Sequence, residues 1–493
     1  MKSISRVLSS MSSLSIFLTL VMVAPFVRAQ WQNPVIDTIT NTQVQKATTL
    51  QSLCLDDSGM VHIVWQEQVG GSWRVYYCTN RPAGTWGVPQ AVGDTTQAAS
   101  DPAVAWGSDG GVPFVVYEQN SDIYAAPLPG GPWEPITTNT QLDCSPTIAV
   151  DGTGYPHAAW ITDDPGSGQY KIAYAVGLLV VGSSIVWDIQ TLAGSNLGPY
   201  GTGASPFIAV TSDGVAHIVY RGGDYGSYHI HHAWNDTLGG TDWNYEILYS
   251  GNANDFTASM VIEGDGDLHL AVSGNDGWGF PGRVYYLYKP FGQSWQQHAL
   301  ASLGYSASQP SLSVDGNGEP HIVWMETSGN FYTGNIYYSH KQSGNWQVTS
   351  VIGTDHFVPS FGIDGPGYGH IACHTGGNTN LYDIYHIRSG SVLTGIEELE
   401  VPAGENGPGK ILHNYPNPAK SYSQITYGNA VSGSVTLKVY SSAGQEIATL
   451  LDEFRPAGTY TVSWRPRDLS AGIYFIRLGT GGSVQTMKCV LVE

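Results

Sequence analysis

Charge of either sign is scarce in this chain, and positive charge is the scarcer. Only 12% of the 493 residues are charged, and 20 Lys and Arg stand against 40 Asp and Glu. Between Gln30 and Thr394 the counts are 9 Lys and Arg against 31 Asp and Glu, whereas the last 99 residues are nearly neutral. A negative field of this size repels phosphate backbones and anionic lipid. The composition therefore argues against nucleic acid and membrane surfaces as partners.

Cysteines and long apolar runs are also rare. Five scattered cysteines are too few for a disulfide framework, so we expect small buried hydrophobic residues and leave a Cys54–Cys78 bridge open. The one long apolar stretch follows a basic start and ends in small residues near Ala29, which predicts a signal peptide over residues 1–29. No later stretch is long enough to cross a bilayer. We therefore expect a protein that is secreted or lies on the outer cell surface, without a transmembrane segment.

What the chain has in abundance is glycine and large aromatic residues, with 61 Gly, 29 Tyr and 15 Trp. This composition is typical of many short strands joined by tight turns. One motif, an Asp-Gly turn followed by histidine and an apolar segment, recurs about every 50 residues, a period typical of propellers or solenoids. The seven copies, one of which lacks the histidine, are Asp57–Trp65, Asp109–Tyr117, Asp151–Trp160, Asp213–Tyr220, Asp265–His269, Asp315–Trp324 and Asp364–His370.

Each repeat contains four strand signals, which predicts an all-β fold with a seven-bladed β-propeller over residues 30–390. Only six tryptophan-led fourth strands follow the third strands of the seven repeats, beginning at Trp86, Trp133, Trp187, Trp243, Trp295 and Trp346. A similar segment, residues 31–39, stands alone at the start of the mature chain. We therefore predict that this segment completes the last blade and closes the ring, which also removes exposed sheet edges.

Residues that recur in nearly every blade are best explained by the blade itself. Six histidines recur in the second strands, and we expect them to make structural hydrogen bonds rather than to bind metal. The Asp-Gly turns resemble calcium loops, notably Asp265–Asp267, but they lack the length and the closing glutamate of an EF-hand. His229 and His231, with His217 on the adjoining strand, suggest a zinc site, but the aligned blades carry tyrosine where His231 and His232 stand, which favours aromatic replacement over a metal site. We expect no metal and no cofactor, with calcium as an unsupported alternative.

The loops between second and third strands differ most between repeats, and variable loops on a rigid scaffold often carry binding residues. Their carboxylates and aromatic rings suit a sugar or peptide ligand. The alternative is that they are solvated loop tips. The predicted ligand-binding residues are Glu67, Trp73, Glu118, Asp163, Arg221, Tyr225, Trp278, Glu326 and His374.

The repeats as a whole resemble the sialidase-like, BNR-like β-propeller proteins. This resemblance implies a sialidase-type glycoside hydrolase. Glu67, Glu118 and Glu326 follow the second strands at similar positions and are candidates for a carboxylate pair in glycoside cleavage, although their recurrence argues equally for a structural role. The spacing from Asp315 to Trp324 is wider than in the Asp-box of that family, and no motif surrounds the few arginines. We therefore predict a monomeric, non-catalytic binding or adhesion module for an extracellular glycan or protein. The alternative is a glycan-degrading, sialidase-like enzyme on the same ring.

A linker rich in Gly, Pro and Glu, residues 391–410, precedes a segment with a different pattern. Short alternating strands over residues 411–493 predict a small immunoglobulin-like β-sandwich. This segment resembles the C-terminal sorting domain of the type IX secretion system, through motifs at Tyr415–Pro418, Ala457–Tyr460, Trp464, Gly472–Phe475 and Thr486–Lys488. The resemblance implies export by that secretion machinery, followed by release or attachment at the cell surface.

Overall fold

The described residues of a computed structural model of the protein form an all-β architecture, with no helix among them. The predicted signal peptide, residues 1–29, lies outside the described part. The structure describes residues 31, 34–40, 44–80, 85–107, 111–165, 167–181, 184–195, 197, 205–223, 229–249, 257–264, 266–274, 282–300, 306–316, 318–327, 334–342, 345–352, 355–376, 383–393, 410–415, 419, 423–429, 432–441, 444–455, 458–464, 469–480 and 483–492.

Seven antiparallel sheets follow one another through the described part of residues 31–393. The chain begins with β1 (Val35–Thr38). The first sheet contains β2 (Lys46–Ala47), β3 (Leu53–Leu55), β4 (Val61–Val69), β5 (Ser72–Thr79) and β6 (Gln90–Val92). The second contains β7 (Ala99–Trp106), β8 (Pro113–Gln119), β9 (Asp122–Pro127) and β10 (Glu134–Pro135). The third contains β11 (Asp143–Val150), β12 (Pro156–Asp164), β13 (Gln169–Val181) and β14 (Ser184–Thr191).

The next four sheets repeat the same order. The fourth contains β15 (Phe207–Val210), β16 (Ala216–Gly222), β17 (His229–Asn235) and β18 (Trp243–Tyr249). The fifth contains β19 (Ala258–Ile262), β20 (Leu268–Gly274), β21 (Arg283–Lys289) and β22 (Gln296–Ala299). The sixth contains β23 (Ser306–Val314), β24 (Pro320–Thr327), β25 (Gly334–Gln342) and β26 (Asn345–Ile352). The last sheet contains β27 (His356–Ile363), β28 (Gly369–Thr375) and β29 (Ile384–Arg388), with β1 as its fourth strand.

The inner strands, β3, β7, β11, β15, β19, β23 and β27, contact one another in a closed circle. Each contacts the inner strand of the next sheet, and β27 contacts β3. Several inner strands contain a proline that follows a residue in the left-handed backbone region, such as Asp101 (φ 49°) before Pro102 and Gln309 (φ 55°) before Pro310. The register shifts at these points, between Ser100 and Ala103 and between Ser308 and Ser311. Each shift is a β-bulge, which bends the strand where it enters the circle.

Side-chain hydroxyls connect the inner strands of successive sheets. The serine or threonine of one inner strand accepts a backbone N–H from the next, as in Leu53 N–Ser360 Oγ, Phe361 N–Ser311 Oγ, Leu312 N–Ser259 Oγ and Ile208 N–Thr147 Oγ1, at 3.0–3.3 Å. The second sheet has Ala103 at this position and offers no hydroxyl. Gln51 substitutes for it, because its Oε1 accepts bonds from Thr147 Oγ1 (2.6 Å) and Ile148 N (3.1 Å). Buried backbone N–H groups are thereby satisfied across the joints between sheets.

The recurring tryptophans pack between sheets. In five described cases a tryptophan of one sheet meets edge-on the tyrosine or histidine in the third strand of the preceding sheet, with ring centroids 5.0–5.9 Å apart. Such T-shaped pairs are favourable beyond the area that they bury. The pairs are Trp31–Tyr338, Trp86–His386, Trp243–Tyr174, Trp295–His232 and Trp346–Tyr286.

The first described residues of the chain lie against the end of the ring. β1 pairs antiparallel with β29, with Asp37 opposite His386, and the Ile39 N–H bonds to the Ile384 carbonyl at 2.8 Å. Trp31 is 3% exposed and belongs to the apolar cluster of the sixth and last sheets. Leu393, which falls inside the predicted linker 391–410, is fully buried in that same cluster. The rest of the linker, residues 394–409, lies outside the described part.

The cysteines are free thiols, and the Cys54–Cys78 bridge that the sequence left open is not formed. Cys54 packs in the cluster between the first and second sheets, whereas Cys78 packs in the cluster between the last and first sheets. The two side chains therefore lie on opposite faces of their sheet. Burial raises the pKa of the Cys78 thiol to about 11, which keeps it protonated and unreactive.

The C-terminal segment contains two further sheets among its described residues. One has the order β30 (Lys410–Tyr415), β31 (Ser423–Asn429), β34 (Gly458–Trp464), and the other has β33 (Glu446–Arg455), β32 (Gly433–Ser441), β35 (Gly472–Thr480), β36 (Ser483–Leu491). Both contribute to one apolar cluster that includes Ile425, Val439, Trp464, Ile476 and Leu491. The two sheets thus share a core, as alternating strands with one apolar face require.

Candidate functional site

The ring encloses a channel between the inner strands. Its volume is about 520 Å³, and residues from the inner strands of all seven sheets line it, including Leu53, Val104, Ile148, Ile208, Met260, Leu312 and Phe361. The ring has two faces. The side that carries the Asp-Gly turns is called the turn face. The opposite side, where the second strands end and the inner strands begin, is called the loop face.

On the turn face, an aspartate lies close to the second-strand histidine in the first, third, sixth and last sheets. Asp151 Oδ1 accepts bonds from the backbone N–H groups of Thr153 and Tyr155, which fixes the turn. Its Oδ2 lies 3.3 Å from His157 Nε2, and the other ring nitrogen of His157 lies 2.7 Å from the Tyr174 hydroxyl. The first, fifth and sixth sheets repeat the histidine–tyrosine bond, at His62–Tyr77, His269–Tyr286 and His321–Tyr338. These recurrent histidines are structural, as their repetition predicts.

Two predicted binding residues on the loop face accept hydrogen bonds from tryptophans of their own sheets. Glu67 accepts the indole N–H of Trp65 at 3.3 Å, and Glu326 accepts that of Trp324 at 3.0 Å. Glu326 is only 1% exposed. Both carboxylates therefore hold the buried tryptophan two residues before them, which explains why they recur.

Two other predicted residues stabilise a loop and a joint between two sheets. Asp163 Oδ1 accepts the backbone N–H of Leu142 at 2.8 Å, which fixes the entry to β11. His374 is buried, and its Nδ1 lies 2.8 Å from the Thr48 hydroxyl, across the joint between the last and first sheets. Burial lowers the pKa of His374 to about 4, so the ring is neutral.

The remaining predicted residues divide between described and undescribed parts. Trp73 lies half-buried in β5 opposite Gln68, and Arg221 lies half-buried in β16 opposite Ile230. Tyr225 and Trp278 lie outside the described residues. The structure thus distributes the seven described residues of this set around the ring rather than gathering them at one point.

Glu118 is the exception, because it lies beside a second carboxyl group that sequence reasoning missed. Burial raises its pKa to about 7, and the negative charge of Asp101 adds to this effect. Burial also raises the pKa of Asp101, whose backbone N–H bonds to Gln66 Oε1 at 2.7 Å. Val116, two residues before Glu118 on the same face of β8, packs in the apolar cluster between the second and third sheets, so Glu118 points toward the third sheet.

The pair arises from local backbone geometry. Glu118 stands opposite Ser100 in the β7–β8 ladder, and the bulge that follows Ser100 turns Asp101 into a left-handed conformation before Pro102. A non-glycine residue at positive φ is uncommon and often marks a functional or strained position. The sequence shows a polar residue, Asp101, directly before a proline. It does not show that this residue lies beside Glu118.

The predicted zinc alternative does not form. His217 Nδ1 lies 3.0 Å from His232 Nε2, whereas His231 stacks on Tyr220. His232 occupies the position of the third-strand tyrosines, as aromatic replacement predicts. Within the described residues, no group of three or more His, Cys, Asp or Glu could hold a metal ion.

Replacing Glu118 by Gln should flatten the dependence of stability on pH. Folding raises the pKa of Glu118 from 4.5 to about 7, so the folded state binds more protons than the unfolded state between these values. The contribution of Glu118 to stability is then greatest below pH 4.5 and falls as pH rises through 7. For this half-buried group we expect E118Q to gain about 1 kcal/mol at pH 8 relative to pH 5. Urea unfolding at pH 5, 6, 7 and 8 measures this, and parallel pH profiles of the two proteins would contradict it.

Comparisons with known proteins assign the tail. Residues 413–493 match the family described as "Secretion system C-terminal sorting domain". The protein is therefore secreted or lies on the outer cell surface, and it interacts with the secretion machinery. In the described part of the chain, no helix has the length and apolar character needed to span a membrane. No curated protein matches the chain.

Solved structures resemble the chain at low identity. The Phage phi92 endosialidase is 13% identical and covers 76% of this chain and 72% of its own, with a TM-score of 0.43. The polysaccharide lyase Uly1 is 12% identical, with coverages of 71% and 91% and a TM-score of 0.47. An oligogalacturonate lyase from Vibrio parahaemolyticus is 10% identical, with coverages of 72% and 93% and a TM-score of 0.46. At TM-scores below 0.5, these likenesses do not decide what the ring binds.

Proposed function

We propose that this protein is an exported seven-bladed β-propeller that binds an extracellular glycan on its loop face and carries an immunoglobulin-like sorting tail. The closed circle of inner strands supports the blade number, and the shared core of two sheets supports the tail fold. On this proposal residues 1–29 are removed, and the tail directs export. The loop face is then presented outside the cell.

The charge of the loop face favours a glycan without acidic groups. Asp101, Glu118, Asp143 and Asp163 lie on this face at the second and third sheets, and Asp143 is fully buried against the indole N–H of Trp160 (3.0 Å). Carboxylates accept hydrogen bonds from sugar hydroxyls but repel uronate, sialate and sulfate groups. We therefore infer a neutral polysaccharide as the ligand class.

The observation that carries the proposal is the pair of Asp101 and Glu118, which lie next to each other on the loop face of the second sheet. Two carboxyl groups whose pKa values are both raised by burial are costly for the fold. Desolvated groups of this kind concentrate at functional sites. A ligand with many hydroxyls would repay part of that cost by donating hydrogen bonds to the pair.

Glycoside hydrolysis is the second candidate, and the same pair favours it. Glu118, with a pKa of about 7, retains a proton near neutral pH and could donate it to a glycosidic oxygen. Asp101 would then carry the negative charge needed to activate water or to stabilise the sugar cation. On this reading Glu118 is the general acid and Asp101 its partner.

Binding and hydrolysis separate in one experiment on the mature chain from Gln30 onward. Neutral and acidic polysaccharides are screened by affinity electrophoresis and calorimetry, and reducing ends are measured on each hit. We expect a neutral glycan to bind, with at least tenfold weaker binding in D101N and E118Q and no change in the control Glu446→Gln in the tail. Binding of acidic glycans alone, or of none, would refute the proposal. Release of reducing ends that E118Q lowers by a hundredfold or more would establish the hydrolase instead.

A further inference from the structure

The fourth sheet carries a cluster of buried polar atoms without hydrogen-bond partners. Tyr220 lies on β16, and His229 and His231 lie on β17. The ring centroids of Tyr220 and His231 are 5.3 Å apart, and those of the two histidines are 6.3 Å apart. Within the described part of the chain, Tyr220 Oη, His229 Nδ1 and His231 Nε2 are buried and have no partner. Such atoms are costly for a fold, because each has given up its hydrogen bonds to water.

A glycine explains why these atoms have no partner in the fourth sheet. In the first sheet, Glu67 follows Trp65 by two residues and accepts its indole N–H, and the sixth sheet repeats this arrangement. The residue two positions after Tyr220 is Gly222, which stands opposite His229. Residues two apart in a strand face the same side. The fourth sheet therefore has no side chain at the position that a carboxylate fills in the other two sheets.

The three side chains face the cleft between the third and fourth sheets. Tyr220 belongs to the apolar cluster that these two sheets share. His231 stands opposite Tyr220, and His229 comes two residues earlier, so both histidines lie on the same face as Tyr220. From the third sheet, Ile161 belongs to the same cluster, so Asp163, two residues later in β12, also faces this cleft. The cleft opens on the loop face, where the second strands end.

The outer strand of the fourth sheet, β18, gives the cleft an accessible apolar wall. Tyr245 is 38% exposed, and its hydroxyl accepts the backbone N–H of Gly194, which follows β14, at 3.2 Å. Ile247 is 56% exposed and stands opposite His231. Exposed apolar side chains beside a few convergent polar groups are typical of ligand sites. We define the histidine cleft as Asp163, Tyr220, His229, His231, Tyr245 and Ile247.

The hydrogen-bonding groups on the fourth-sheet side of the cleft are uncharged. Burial lowers the pKa of His231, and the neighbouring His229 adds to this effect, so the His231 ring is neutral at pH 7. Burial raises the pKa of Tyr220, so its hydroxyl stays protonated. A neutral imidazole and a hydroxyl can each donate and accept a hydrogen bond. These groups match sugar hydroxyls, which also do both, and they offer no positive charge to a carboxylate or sulfate.

We propose that the histidine cleft is a second binding site for the glycan, in which Tyr220 and His231 exchange hydrogen bonds with the hydroxyls of a neutral sugar unit. Tyr245 and Ile247 would cover the apolar face of that sugar. The inference rests on the proposed function, because this cleft and the cleft that Glu118 faces lie on the two sides of the third sheet. A glycan that fills both crosses the third sheet on the loop face.

The buried atoms become accessible through a small side-chain motion. His229 and His231 are half-buried rather than enclosed, so their rings can turn when a ligand enters. Rotamer changes of this kind are common when a ligand or partner binds. The bound sugar would then satisfy polar atoms that the fold leaves unsatisfied.

His231→Phe and Tyr220→Phe test the site, because each keeps the stacked ring and removes only hydrogen-bonding atoms. Tyr117→Phe is the matched control: Tyr117 is fully buried and its hydroxyl has no partner among the described residues, but it packs between the first and second sheets. Calorimetry measures the binding of β-glucan, mannan, xylan and galactan to the mature chain from Gln30 onward. For the glycan that binds, we expect Y220F and H231F each to weaken affinity about threefold to tenfold, the effect of one neutral hydrogen bond. Y117F should change it less than twofold.

Urea unfolding without glycan gives a readout that does not depend on the ligand. Replacing an unsatisfied polar group by an apolar group of the same shape is neutral or stabilising, so the urea midpoints of Y220F and H231F should equal or exceed that of the parent. A lower midpoint in both variants would overturn the inference, because these atoms would then stabilise the fold. Unchanged glycan affinity in both, with weaker binding in D101N and E118Q, would overturn the histidine cleft alone. Absence of binding to the parent would overturn the proposed function as well.

Discussion

Replacing Trp31 by alanine should destabilise the whole ring by about 3–5 kcal/mol, the usual cost of removing a buried tryptophan. Trp31 is 3% exposed, and the centroids of its ring and the Tyr338 ring lie 5.7 Å apart. It therefore packs the N-terminal segment against the sixth sheet. β1 offers little apolar anchorage of its own, because Val35 and Ile36 are 46% and 45% exposed. Denaturant unfolding followed by tryptophan fluorescence and circular dichroism measures the loss.

Trp133→Ala is the matched control, since this tryptophan is 44% exposed. Its removal should cost less than 1 kcal/mol. Deleting residues 31–39 removes both Trp31 and β1 and should lower stability further than W31A does, with a single cooperative transition for the ring. Unchanged cooperative melting after this deletion would show that the N-terminal segment does not close the ring.

Asp151→Ala should cost about 3 kcal/mol, because it leaves several buried donors without an acceptor. Asp151 is 2% exposed and accepts bonds from Thr153, Tyr155 and His157. Burial opposes its ionisation, but the bonds from His157 and Thr153 outweigh this effect and hold the pKa of Asp151 at about 2. The stabilisation is therefore complete above pH 4 and is lost as pH falls toward 2.

A nearby aspartate in the turn of the fourth sheet separates this role from turn chemistry in general, because there Thr211 occupies the position of Asp151 and accepts the backbone N–H of Val215 at 2.9 Å. Asp213 is exposed, and its carboxylate accepts a hydrogen bond from the Thr211 hydroxyl. We expect D213A to cost less than 1 kcal/mol. Urea unfolding of both variants at pH 7 and pH 3.5 should show a large difference at the higher pH and a smaller one at the lower. Equal costs at pH 7 would mean that histidine anchoring contributes nothing.

Much of the scaffold was accessible from the sequence because a repeat constrains each of its copies. The histidine, the Asp-Gly turn and the tryptophan recur at similar positions, and their recurrence predicted structural roles. The interaction partners were less accessible. Nothing in the sequence indicated that Gln51 would replace the hydroxyl missing at Ala103, since the two positions lie in different sheets.

The candidate site was only partly predictable, and strand alternation explains the difference. Glu67 and Glu326 follow the histidines of their repeats by five residues, whereas Glu118 follows Phe114 by four. Successive side chains of a strand point to opposite faces. Glu118 therefore faces the third sheet, while the other two glutamates bind their own tryptophans. Alignment of the repeats reveals that Glu118 is offset by one residue, but it does not reveal that Asp101 lies beside it.

The amino-acid sequence by itself determined the all-β class, the repeat and the sorting tail, because periodicity and local motifs are properties of neighbouring residues. The tertiary structure decided which groups meet across sheets: Asp101 with Glu118 through a bulge, and Asp37 with His386 through ring closure. Desolvation and hydrogen bonding between titratable groups depend on those contacts, since both arise from atoms that are distant along the chain and close in space. The chemistry of this ring therefore follows from its closure.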